Sequence, residues 1–403
     1  MSKDKLIAFI IILSPIFFIM RDIAILDVYD ELIALFSLIC ITHLFIKGRL
    51  NKILKIIYIV LAGVTLLGLV SNLNSKLILQ PFPILVDVLG LWKDFAPLIF
   101  FSYLCNDMKV YRKVINNLYT PARVALLITC ASAIIGQFVD IGVTSMMRYG
   151  LRQFDFFWHN GIGTGWLLFS SILIISCKTN SNKQFIQYLI IAAVPAILTF
   201  SSLVWCWLFV EVCLLVITSR NKPFQKKYLV LLGLGVAYLS YEDISSYFLT
   251  EAPRMVLITK GFEVANMYFP FGSGFATYGT EMAKRYYSDL YVQFGWSGTW
   301  ALGEEGLFLN DVFLGSIIGQ FGWIGFIAYY FLFYNIFAYA NTNLLVKNVR
   351  ISLLSTIITI VVVSLGSASV KTMMGEFCFA TLGIVLAPLY NQYRYNKKYE
   401  ATT

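Results

Sequence analysis

Five cations stand where phosphate chemistry would need them: Lys93, Arg148, Arg152, Arg254 and Arg285. Arginine offers a rigid, permanently charged fork of donors that fits phosphate oxygens two at a time. Arg148 and Arg152 share one stretch, RYGLRQFDFFWHNGIGTGW, with His159. Arg254 opens a later polar stretch that runs to Gly325 and also holds Lys260, Lys284 and Arg285 beside Glu263, Glu281, Asp289, Glu304, Glu305 and Asp311. Two arginine-bearing segments on one face would make an anion site. Taken singly, each arginine could as well pair with a carboxylate or a lipid headgroup; the set favours the anion site. His159 stands beside Asn160 and a run of glycines, and a lone histidine is more often structural than catalytic. Tyr286, Tyr287, Tyr291 and Trp296 crowd the same polar stretch; such rings suit sugar C–H faces and equally suit membrane interfaces.

The elements that must hold these residues are apolar. The 403 residues are 59% hydrophobic and 13% charged, whereas a soluble domain carries about 25% charged residues. Apolar runs fall near 6–20, 28–46, 53–71, 82–105, 121–139, 161–177, 185–200, 202–218, 228–241, 313–339, 351–370 and 375–390. Most are long enough for a ~30 Å hydrocarbon core, and they are apolar all round rather than alternating. The expected fold is an all-α polytopic membrane protein of about twelve transmembrane helices with one large polar loop at 242–312. It reads as one membrane domain over 1–403. The first run lacks a small-residue cleavage site and is expected to stay as a span. Ser201-Ser202 is the expected turn between the seventh and eighth runs.

With the N-terminus placed inside, 21 of the 31 Lys and Arg residues fall on the inner side, which is the positive-inside bias. Both termini are then cytoplasmic and 242–312 lies outside. The net charge of +9 is thereby an orientation signal and gives a nucleic-acid partner little support. Asp87, Lys93, Asp94, Glu211 and Glu376 fall inside apolar runs, and Lys371 at the end of one. Charges there are costly unless paired or hydrated. Asp94 cannot face Lys93 on a helix, so Lys93 needs a carboxylate or a bound phosphate from elsewhere.

The seven cysteines lie in or at the ends of apolar runs with no CxxC pair, as small buried hydrophobes would. PFGSGF lacks the GK[ST] ending of a phosphate loop, and DxD, HExxH and GxSxG are absent. No metal or other cofactor is expected.

In layout and in three local stretches the chain resembles the bacterial O-antigen and capsule repeat-unit polymerases, relatives of the O-antigen ligases. Arg254 followed by PFGSGFATYG resembles their Arg and Pro-x-Gly-x-Gly pattern. FLNDVFLGSIIGQFGWIG resembles the re-entry into the next span, and Arg152 to Gly163 fits their Arg-x10-Gly spacing. Ligases carry His-Asn before the final Gly-x-x-Gly; here Asn310-Asp311 stands there, which favours polymerase over ligase.

The resemblance implies a GT-C-like architecture in the bacterial inner membrane. It implies polymerisation of oligosaccharide repeat units carried on undecaprenyl diphosphate at the periplasmic face, with inversion at the anomeric carbon. Under it, Arg148, Arg152, Arg254, Arg285 and Lys93 would hold the diphosphate. Asp311, or second His159, would be the base, and Tyr286, Tyr287, Tyr291 and Trp296 would line the sugar groove. Membrane lipids, a chain-length regulator and a flippase are the implied partners. The rival readings are a lipid-linked oligosaccharide flippase or transporter and a ligase, with a structural assembly partner as a third class. No internal repeat of the kind a flippase needs is visible.

Overall fold

The computed structural model describes residues 2–20, 28–158, 160–179, 181–218, 224–225, 227–241, 245, 252–342 and 346–388. A helix occupies each apolar run. They are α1 (Lys3–Ile19), α2 (Tyr29–Ile46), α3 (Lys52–Ser75), α4 (Pro81–Trp92), α5 (Phe95–Leu104) and α6 (Met108–Phe138). After a hairpin come α7 (Gly161–Ser176), α8 (Asn182–Leu198), α9 (Ser202–Ile217) and α10 (Lys227–Leu239). The polar stretch contributes α11 (Pro253–Met267), α12 (Glu281–Arg285) and α13 (Asp289–Gln293). The chain then returns through α14 (Phe313–Thr342), α15 (Lys347–Gly366) and α16 (Met373–Leu386).

Among the described residues, five helices are long and apolar enough to cross a membrane: Tyr29–Ile46, Lys52–Ser75, Met108–Phe138, Phe313–Asn341 and Lys347–Gly366. Seven further apolar helices of 10–17 residues accompany them, including α4, α5, α7 and α16. This is a mostly helical architecture of membrane type. α16 is buried on every side and packs on α5, α7 and α1; a helix apolar all round belongs at the centre of a bundle.

Three local features depart from the expected pattern. The chain is not wholly α: β1 (Thr144–Arg148) and β2 (Leu151–Phe154) form an antiparallel hairpin. Its two-residue turn, Tyr149-Gly150, has positive φ at both positions, the geometry that matches strand twist. The run at 82–105 is two helices, broken at Lys93-Asp94. α14 is kinked at Gly322, which sits at φ 61°. The expected turn at Ser201 is present, with Ser201 preceding α9 and Phe200 at positive φ.

Most of the core is one continuous cluster within the bundle. The polar stretch builds a second, smaller one from Leu257, Val264, Tyr278, Leu290, Tyr291, Trp296 and Leu309, among others.

Candidate functional site

The sequence PFGSGFATYG folds into a plug between α3 and α14. Asn72 clamps Phe275 from both sides: its Nδ2 donates to the Phe275 carbonyl (2.9 Å) and its Oδ1 accepts from the Phe275 N–H (2.8 Å). Ser71 donates to Phe271 O and Ser75 to Ser273 O. From the other side, Ser273 N and Gly274 N donate to the carbonyls of Gly319 and Gln320. Irregular backbone is tolerated in a bundle only where its polar groups are met in this way. A Cβ at Gly272 would lie 2.3 Å from Gly322 N, and one at Gly322 would lie 2.3 Å from Pro270 O. The paired glycines therefore serve the docking of plug and kinked helix, and the kink follows from it.

Asp87 of α4 closes the plug. Its Oδ2 accepts from Ala276 N (2.8 Å), Thr280 Oγ1 (2.7 Å) and Gln320 Nε2 (2.9 Å). One oxygen of an acid in an apolar helix thus takes three donors from two other segments.

α11 crosses α14 with glycine against glycine. A Cβ at Gly261 would meet Gly315 O at 2.8 Å, and one at Gly315 would meet Leu257 O at 2.8 Å; small residues let helix backbones approach this closely. The crossing carries Arg254, in the first turn of α11, to the residues just before α14. There Arg254 Nε donates to Asp311 Oδ2 at 2.5 Å. The Asp311 carbonyl accepts from Ala368 N, the start of the short 3-10 helix Ala368–Lys371. That contact draws Lys371 toward the same place, with its Nζ 4.9 Å from the Phe313 ring centre.

These parts surround a cavity of about 1520 Å³. Its wall takes Arg148 from the hairpin, Arg254 and Asp311 from the polar stretch, and Asn160 at the start of α7. It also takes Glu31, Asp87, Lys93 and Lys371 from the helices. Glu281 and Asn310 line it as well, joined by a 2.6 Å hydrogen bond.

The structure sorts the predicted residues. Arg148, Arg254, Asp311 and Lys93 meet at the cavity. Arg152 does not line it. In the hairpin register Arg148 opposes Leu151 and Met147 opposes Arg152, and successive residues of a strand point to opposite faces, so the two arginines diverge. The backbone of Arg152 is held by Gln137 at both N–H and C=O. Arg285 is exposed at the end of α12, away from the cavity. Lys93 finds two carboxylates, Asp30 at 2.5 Å and Glu31 at 2.7 Å, the first of the two partner types expected for it. His159 lies outside the described residues.

The aromatic set is mostly loop core. Tyr291 is wholly buried, stacks on Trp296 with ring centres 5.4 Å apart, and accepts from Gly279 N through its hydroxyl. Burial holds the Tyr291 phenol well above its ordinary range, so it stays a neutral hydroxyl. Tyr291 and Trp296 offer no open ring face to a sugar. Tyr287 is half-buried, bonded to the Leu302 carbonyl, and Tyr286 is exposed.

Asp87 and Lys371 are among the cavity residues that had no role from the sequence. Both were visible as charges in or beside apolar runs; their meeting depends on the plug and the 3-10 turn.

No protein-family profile matches the chain, and no curated protein matches it. The resemblance to repeat-unit polymerases stands on the quoted residues alone.

Proposed function

We propose that the chain is a membrane glycosyltransferase that joins undecaprenyl-diphosphate-linked oligosaccharide repeat units at the periplasmic face of the bacterial inner membrane. One observation carries this reading: a single cavity, large enough for a sugar-diphosphate, receives Arg148, Arg254 and Asp311 from two separate polar segments.

The chemistry asks little of the protein. A hydroxyl of one repeat unit attacks the anomeric carbon of the growing chain. The new C–O bond forms as the bond to the diphosphate breaks, and the lipid diphosphate leaves with the bonding pair. Arg148 and Arg254 would stabilise the charge that develops on it. The hydroxyl proton would pass to Asp311. Arg254 and Asp311 are paired; a diphosphate would draw the guanidinium to itself and leave the carboxylate to take the proton. Attack opposite the leaving group inverts the anomeric centre.

A second reading has its own observation. Glu31, Asp87, Lys93 and Lys371 line the same cavity from within the helices, and charges along a cavity inside a bundle mark translocation paths too. The experiment is reconstitution of the purified chain in vesicles with lipid-linked repeat unit. A polymerase lengthens it, a flippase moves it unchanged between leaflets, and an assembly partner does neither. Absence of lengthening in active vesicles would end the polymerase reading.

A further inference from the structure

Where α4 breaks into α5, ionisable side chains gather beneath the cavity. Lys93 meets Asp30 and Glu31. Asp94 lies within electrostatic reach of Lys93, Lys371 and Asp30, with the Tyr329 hydroxyl and the Cys378 thiol also beside it. Glu376, in the first turn of α16, lies within electrostatic reach of Lys93, Asp30, Glu31, Asp94 and Tyr29. Lys371 in turn faces Asp87 as well as Asp94. Five carboxyl groups (Asp30, Glu31, Asp87, Asp94, Glu376) thus stand against two ammonium groups (Lys93, Lys371).

The excess is not spread evenly. Asp30 and Glu31 share Lys93, and Asp87 has three hydrogen-bond donors. Asp94 and Glu376 are 1% and 3% exposed, and both oxygens of each lack a hydrogen-bond partner. Lys371 is the one ammonium left over, and Asp94 and Asp87 share its attraction; a buried carboxylate with no hydrogen-bond donor is strongly penalised by desolvation. It removes that penalty by taking a proton. A metal ion would need a converging ligand set, and among the described residues no group of three or more His, Cys, Asp or Glu offers one.

We propose that this junction is a proton-binding site. Asp94 and Glu376 carry the protons as neutral carboxylic acids, and they exchange them with the cavity past Glu31, Lys93 and Lys371 on its wall. The site is independent of the chemistry proposed for Arg254 and Asp311. It would give either a polymerase or a transporter a titratable element beside its substrate.

The test is infrared spectroscopy of the full-length chain in lipid bilayers near neutral pH. The C=O stretch of a protonated carboxyl lies apart from the ionised form and shifts in deuterated water. The expected result is such an absorption in the unaltered protein, with part of it lost in Asp94→Asn and part in Glu376→Gln. No protonated-carboxyl absorption, or an absorption unchanged in both variants, would overturn the site. Should either variant fail to accumulate, the unaltered chain decides the matter through a hydrophobic carbodiimide, which adds to protonated carboxyls. Mass spectrometry should find the adduct at Asp94 or Glu376, declining as pH is raised; an absent or pH-independent adduct at both refutes the proposal.

Discussion

Arg254 and Asp311 are each other's counterions, with Nε and Oδ2 2.5 Å apart across 57 positions of sequence. Their side chains keep 35% and 30% of their exposure, so the pair contributes only about 0–1 kcal/mol to stability. The pair sits on the cavity wall.

Asp311→Asn should therefore leave the protein folded, with a stability change within ~1 kcal/mol. Polymer formation should fall by roughly 10²–10⁴, the usual worth of a general base. Both are read on purified protein, by thermal melting and by extension of lipid-linked repeat unit. Full activity in Asp311→Asn would retire the residue as base.

Arg254→Lys and Arg148→Lys keep the charge and lose the bidentate fork. Each should cut polymer sharply at near-normal protein level, whereas Arg152→Lys, on the other face of the hairpin, should cost much less. Equal losses at positions 148 and 152 would contradict the assignment of Arg148 alone to the cavity.

Tyr291→Phe removes the acceptor of the Gly279 N–H in a wholly buried place. A stranded buried donor costs about 1–3 kcal/mol, so the melting temperature should drop while activity per folded molecule holds. A selective loss of activity with unchanged stability would restore a sugar-binding role.

Gly322→Ala should be more damaging than any of these. The backbone there lies at φ 61°, and the new Cβ would sit 2.3 Å from the Pro270 carbonyl oxygen. Left-handed strain alone costs of order 1–3 kcal/mol, and the clash adds to it. The expected outcome is loss of protein from the membrane fraction; Gly63→Ala, where a Cβ meets nothing within 4 Å, is the matched control.

Orientation has its own check. Cysteine placed at the exposed Glu305 should react with an impermeant reagent in intact cells, and cysteine at Thr402 should not. The reverse pattern would put the Arg254–Asp311 pair on the cytoplasmic side and remove the periplasmic chemistry with it.

What the sequence settled by itself was that each apolar run would be helical, because an apolar run must hide its backbone polar groups whatever its neighbours are, and only a helix does that within one segment. It also marked Lys93 as needing a distant partner, since a buried charge cannot stand alone. Which partner was a tertiary matter: Asp30 and Glu31 lie more than sixty positions away, and the break at Lys93-Asp94 accompanies their meeting. The glycines of PFGSGFATYG were visible in sequence only as a pattern without a phosphate-loop ending; their docking role depends on α3 and α14 closing on them. Tyr291 and Trp296 looked like a sugar platform until the second core buried them. Spacing in the sequence singled out Arg152 of the two hairpin arginines; a two-residue turn and the alternation of a strand turn Arg148, not Arg152, to the cavity. Spacing along a chain constrains only near neighbours, and every contact that makes this cavity joins segments whose approach is decided by packing.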